Sequence, residues 1–281
     1  MRIVIDDAAE VPDNLTNELN IKVVPVNIAF GTEEYLSGVT MDQAAFYAKV
    51  KHVSAQNFPK TSQPTPYQFT TAYESLIAEG ETDILTVTVS QKFSGTYSSA
   101  TTAMQEMAGR ARFYLFDSAG ASAVHGMQAV EAARMAQAGQ PIDNILRRLE
   151  YLRGGMATLF TIDSLEFAVR GGRVSSMKSA VASLLNLKPI LELKDGLIVE
   201  AGRVRTRRKA LAYIVDGVKE RVGDRPVKLC ISHANSPEDA RQLLDMAKAA
   251  LNYTQASITD MAVAVAINVG PGALGILTVP D

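Results

Sequence analysis

The chain has 281 residues, with 28 Lys plus Arg against 30 Asp plus Glu and a net charge of −2. That balance argues against the broad basic field of a nucleic-acid-binding protein. A content of 47% hydrophobic and 21% charged residues is that of a folded chain rather than a disordered one.

The single cysteine, Cys230, rules out an internal disulfide, and three histidines leave little for a zinc site. At roughly 150 residues per domain the length suggests two domains. Arg2 to Ile5 reads as a strand, and Asp6 and Asp7 end its apolar run too soon for a signal-peptide core. No stretch approaches the ~18 apolar residues of a membrane span, so the expectation is a cytoplasmic protein.

Ile21 to Phe30 reads as a second strand. Thr40 with Gln43 predicts a capping box for a helix over Met41 to Lys51. Thr65 with Gln68, and Pro66 at the first helical position, predicts another that stops at Gly80. A β-rich run, Asp83 to Val89, precedes a polar loop and a helix from Gly95 to Met107. Arg112 to Phe116 is a short strand, an Ala-rich helix follows to Gly139, Pro141 opens another, and Met156 to Ile162 is a strand. Strands spaced by helices predict an α/β unit, a Rossmann-like βα domain with a mainly parallel sheet over residues 1–162.

The remainder, residues 163–281, reads as an α+β domain. Leu191 to Lys194 and Leu197 to Glu200 flank Asp195-Gly196, the signature of a hairpin with a type I′ turn. Helices over Thr206 to Arg221 and Pro237 to Leu251 flank a strand at Val227 to Ser232, and two apolar runs, Met261 to Ile267 and Ala273 to Val279, read as strands around Gly270-Pro271-Gly272. That turn opens a formal G-x-G-x-x-G match through Gly275, but only six residues follow, so no dinucleotide crossover fits.

Two loops could carry ligand chemistry. Gln91 to Thr96 follows a strand of the parallel type and opens a helix, where unpaired N–H groups and a partial positive charge suit a carboxylate or phosphate. Ser94 and Thr96 add hydroxyls there, and Gly95 permits close approach to the backbone. The plainer role for Ser94 is a helix cap, which these residues alone favour. Lys60-Thr61-Ser62-Gln63-Pro64, ahead of the next helix start, is a similar loop, with an ordinary polar loop as its plainer reading.

Nucleophilic catalysis finds less support. Ser94 lacks the G-x-S-x-G elbow, because Lys92 holds the first glycine position, and nothing in the spacing sets His52, His125 or His233 beside it. Asp6-Asp7 lacks companion metal ligands at a recognisable spacing and reads as a strand end. Arg203, Arg205, Arg207, Arg208 and Lys209 crowd one helix start, where the helix dipole disfavours cations. They read either as a solvated helix end or, with Arg170 and Arg173, as a docking face for an acidic partner, a phosphate or membrane headgroups.

Five segments together resemble the DegV family: Lys60 to Pro64, Phe93 to Ala100, Asp163-Ser164-Leu165 with Arg170-Gly171-Gly172-Arg173, Leu187 to Leu191, and Gly270-Pro271-Gly272. The resemblance implies two domains with a ligand tunnel between them, binding one long-chain fatty acid. It implies that Thr61 or Ser62, together with Ser94 at its Ser-Gly95-Thr loop, hold the carboxyl group. It further implies that the chain does no covalent chemistry, needs no metal or other cofactor, and presents the acid to a separate ATP-dependent fatty acid kinase. Two positions depart from the pattern. Asn268 stands where the family usually has a histidine within reach of the carboxyl, and Asp6-Asp7-Ala8 replaces Asp-Ser-Thr. The alternative class is a serine hydrolase of acyl esters using Ser94, which would need a base within hydrogen-bond reach of that hydroxyl.

Overall fold

A computed structural model describes residues 1–174 and 187–281. In chain order the first part contains β1 (Arg2–Asp6), a 3₁₀ turn (Asp7–Ala9), α1 (Asp13–Glu18), β2 (Lys22–Val24), β3 (Asn27–Phe30) and β4 (Glu33–Leu36). There follow α2 (Gln43–Val50), β5 (Pro59–Ser62), α3 (Pro66–Ala78), β6 (Asp83–Thr88), α4 (Thr96–Glu106), β7 (Arg112–Asp117), α5 (Ala123–Gln137) and α6 (Ile142–Gly155). Then come β8 (Ala157–Thr161), α7 (Leu165–Gly171), β9 (Lys188–Lys194), β10 (Leu197–Val204), α8 (Arg207–Val222) and β11 (Val227–His233). The chain closes with α9 (Pro237–Ala250), β12 (Tyr253–Asp260), α10 (Val263–Val269) and β13 (Leu274–Pro280).

The fold is mixed α/β, and the described residues form three sheets. A wholly parallel sheet has the order β2-β1-β6-β7. A six-stranded mixed sheet has the order β10-β9-β8-β13-β11-β12, and a small antiparallel sheet the order β4-β3-β5. β8 pairs with β13 and β9, so the six-stranded sheet takes its first strand in chain order from Ala157.

Helices α3 and α4 cover one face of the parallel sheet through Phe69, Tyr73, Leu76, Ala100 and Ala103, and α8 and α9 cover one face of the mixed sheet. Between the two large sheets, α5 and α6 share a core with Ile3, Leu85, Val87, Leu193, Cys230 and Leu277. Burying these apolar faces, at about 25 cal/mol per Å², is what holds the layers together.

Several expectations need correction. Ile21 to Phe30 is two strands in different sheets, because Pro25 offers no N–H for a ladder and releases the chain from one sheet to the other. The helix after Thr40 begins later: Asp42 caps it by accepting from Ala45 N–H at 2.7 Å, while Thr40 Oγ1 accepts from Leu36 N–H. Thr61 and Ser62 lie in β5, paired with Ile28 and Asn27, rather than in a loop. The run Met261 to Ile267 contains α10 instead of a strand, and Gly270-Pro271-Gly272 joins that helix to β13.

Candidate functional site

The strands of the parallel sheet set one end of the site. Asp6, buried at the end of β1, accepts from Ala8 N–H at 3.1 Å and Val89 N–H at 2.8 Å, which fixes both strand ends together. Burial pushes its carboxyl up, against those two donors. The Asp6-Asp7 pair is therefore a structural strand end, and Asp7, pushed up to about 6 by burial, accepts from Ser37 Oγ.

The two hydroxyl segments converge. Gln68 completes the capping box of α3, bonding back to Thr65 N–H at 2.8 Å, and accepts from Asn27 Nδ2 at 3.2 Å. Asn27 Nδ2 also donates to the Gln63 carbonyl at 3.0 Å, holding the end of β5 in place. Gly95 caps α4, and a Cβ there would lie 2.9 Å from Gln63 Nε2, so the glycine is what lets the two segments touch. Ser94 Oγ accepts from Thr96 N–H at 3.3 Å and shares a hydrogen bond with Thr96 Oγ1 at 2.8 Å. It thus supports the helix start while also lining a cavity.

That cavity, about 90 Å³, is lined by Thr61, Ser62, Ser94, Thr96 and Asn268, with Arg173 the single cation among its described walls. The rest of the wall is mostly apolar, including Val26, Val89, Phe93, Ile198 and Val265. A second cavity, about 60 Å³, shares Phe93, Ala121, Ile198, Val265 and Val269 with the first and continues to Phe160, Leu193 and Leu277. Sharing these five wall residues, the two cavities lie side by side and outline a narrow, mostly apolar channel, with the hydroxyls, an amide and a guanidinium on the side of the first. It opens beyond the carboxyl ends of β1 and β6, where ligands of open α/β sheets sit.

A larger cavity of about 550 Å³ lies elsewhere, and Asp7, Glu10, Asp13, Asp42 and Asp260 line it. Size favours it, but its acidic wall repels an anion, and chemistry decides against it.

Asn268 donates through Nδ2 to the Ala264 carbonyl at 2.9 Å and packs against Gly171. Arg173, read from sequence as part of a docking face, lines this cavity and donates through Nη1 to the Gly171 carbonyl at 2.6 Å. The helical spacing of Val265, Asn268 and Val269 is the signal that could have shown α10 presenting one face to the site.

The other basic residues divide. Arg170 pairs with Glu166 at 3.0 Å and stacks on Phe58, and Arg203 pairs with Glu200. Arg207 is held by Asp239 at 2.8 Å and Asp163 at 3.6 Å, so it serves the fold. Arg205, Arg208 and Lys209 are exposed around the start of α8.

No histidine or carboxylate lines the cavity among the described residues. His125 is buried, with Nε2 at 2.9 Å from the Val87 carbonyl, and His233 lies 3.5 Å from Asp260. No cluster of His, Cys, Asp or Glu among the described residues is arranged to hold a metal, and no described helix is long and apolar enough to cross a membrane.

Comparison with known proteins matches this architecture over its whole length. A DegV domain-containing protein of Listeria monocytogenes is 32% identical, covering 98% of this chain and 96% of its own. A DegV family protein of Thermus thermophilus, described for its fatty acid binding, superposes with a TM-score of 0.92 at 30% identity, covering 100% of both chains. DegV of Bacillus subtilis, described as a fatty acid binding protein, superposes with a TM-score of 0.86 at 28% identity, covering 100% of this chain and 99% of its own. The family model described as "Uncharacterised protein, DegV family" matches residues 1–281, and the chain belongs to that family.

Proposed function

We propose that the channel holds one long-chain fatty acid, its carboxyl group at the polar end and its chain along the apolar walls. The observation that carries this reading is the adjacency of two mostly apolar cavities with five wall residues in common, the first lined also by hydroxyls and one guanidinium. Each buried CH₂ contributes about 0.8 kcal/mol, so the chain supplies most of the affinity and the polar end fixes its direction. The fatty acid binding described for the Thermus thermophilus and Bacillus subtilis proteins supports the same ligand class.

In this reading Ser94 and either Thr61 or Ser62 donate to the carboxyl group. Gly95 leaves room at the α4 start, and Asn268 lines the same end. Arg173 supplies the charge that the missing histidine would otherwise carry. The chain acts by binding rather than catalysis, without metal or cofactor, because Ser94 is paired with Thr96 and no base lines the cavity among the described residues. It presents the acid to a separate fatty acid kinase, with Arg205 and Arg208 as the exposed docking cations and Arg203 and Arg170 at the edge of that face. Organic extraction and mass analysis of the purified chain tests the central claim. One bound fatty acid per chain is expected; an empty protein that ignores added acids of roughly 14 to 18 carbons defeats it.

A further inference from the structure

The far cavity of the channel is apolar except for two hydroxyl-bearing residues, Ser122 and Thr158. Ser122 is engaged, bonding to Glu10 and sharing a hydrogen bond with Ser232 Oγ at 3.1 Å. Thr158 is not: its Oγ1 is buried and has no hydrogen-bond partner among the described residues.

Position on the sheet explains why. Thr158 and Phe160 alternate onto the cavity face of β8, while Ala157 and Leu159 pack with α8 on the other face. Leu277, opposite Thr158 on β13, is also apolar cavity wall. Thr278, on the next residue of β13, bonds through Oγ1 to the Ala157 carbonyl at 3.1 Å. A valine would fill the space of Thr158 without stranding a hydroxyl, and a buried polar group without a partner is costly. A turn about χ1 exchanges the methyl and hydroxyl of a threonine, so the hydroxyl can meet whatever lies against the wall.

We propose that Thr158 is a specificity-determining residue and that the preferred ligands are fatty acids with a hydroxyl group partway along the chain. The inference rests on the acyl-binding reading above. A ligand hydroxyl both donates and accepts, so it satisfies Thr158 whichever way the threonine hydroxyl turns. A site that bonds a substrate hydroxyl rejects the analogue lacking it far more strongly than an apolar site rejects an added one.

The test is a displacement titration of the delipidated full chain with octadecanoic acid and a series of its mid-chain monohydroxy isomers. At least one isomer should bind roughly 5–10-fold more tightly than octadecanoic acid. Thr158→Val should abolish that ratio and Thr158→Ser should keep it. The ratio is the readout because general loosening of the cavity would weaken both acids alike. Equal binding of every isomer and the parent acid, or a preference that survives Thr158→Val, overturns the assignment. Failure of all the acids to bind overturns the acyl-binding reading instead, and this inference with it.

Discussion

Ser90 Oγ donates to the Gly196 carbonyl at 2.8 Å, tying the loop after β6 to the tip of the β9–β10 hairpin across 106 residues of sequence. The tip turns with φ of 50° at Asp195 and 77° at Gly196, and two residues later Ile198 forms the wall shared by both cavities. Ser90→Ala should cost about 1 kcal/mol in a urea titration and speed amide exchange at the hairpin tip. Unchanged exchange there would show that packing alone holds the hairpin down. Gly196→Ala should cost more, because its Cβ would lie 2.7 Å from Ser90 Oγ at a φ that favours glycine.

Ser94→Ala should weaken fatty acid binding by roughly 1–3 kcal/mol, the range for leaving a buried polar group unpaired. Thr61→Ala and Ser62→Ala should divide into one strong and one weak effect, with Thr61, the more buried, as the stronger. Arg173→Gln should weaken the free acid more than its methyl ester, since only the acid carries charge. Equal losses for acid and ester would remove Arg173 from the carboxyl end. These affinities are read by calorimetry on delipidated protein.

Glu10 links the two large sheets. Its carboxylate accepts from Ser122 ahead of α5, Ser232 on β11 and Thr259 on β12. Burial pushes it up from 4.5 to about 7, opposed by those hydroxyls. The folded chain therefore holds a proton that the unfolded chain releases above 4.5. Stability from this group is full below 4.5, falls as pH rises to about 7, and is flat above; the span is of order 3 kcal/mol. Asp7, also raised by burial, adds a slope of the same sign ending at about 6. Glu10→Gln, which keeps a neutral group, should flatten the pH dependence of the urea midpoint between pH 6 and 7. A slope in the variant as steep as in the parent would place the titration elsewhere.

If a separate kinase acts on the bound acid as proposed, Arg205→Glu with Arg208→Glu should leave fatty acid affinity intact while slowing that phosphorylation. The deficit should shrink as salt screens the attraction. Stopped assays at two ionic strengths read both effects, and a double variant as fast as the parent at low salt would return α8 to an ordinary solvated helix start.

Much of the scaffold was legible because its signals are local. Thr65, Pro66 and Gln68 announce α3, Asp195-Gly196 announces the hairpin, and the apolar runs of β1, β6 and β11 have strand length. β12 was missed because its residues, Tyr253 to Asp260, are mostly polar at a sheet edge and lack an apolar run. α10 was misread because its β-branched residues favour a strand and only Val265 and Asn268 escape full burial, so the helical spacing of Val265, Asn268 and Val269 is a weak signal against a continuous apolar run. Ser94, Thr61, Ser62 and Asn268, each singled out from its own segment, line one cavity. That Arg173 lines the same cavity was not legible, because Arg170 beside it lies outside and the left-handed Gly172 turns the chain between them.

The position of β13 bears on how the chain is made. It is translated after every other described strand, yet it is inserted between β8 and β11 in the middle of the six-stranded sheet. Until it emerges, β10-β9-β8 and β11-β12 are two half-sheets, each offering an unpaired inner edge of buried residues such as Leu159, Phe160, Leu229 and Ile231. A nascent or truncated chain ending before Leu274 is therefore a template for pairing with its own copies. Protection of those two edges during synthesis falls to whatever in the cell binds exposed strands.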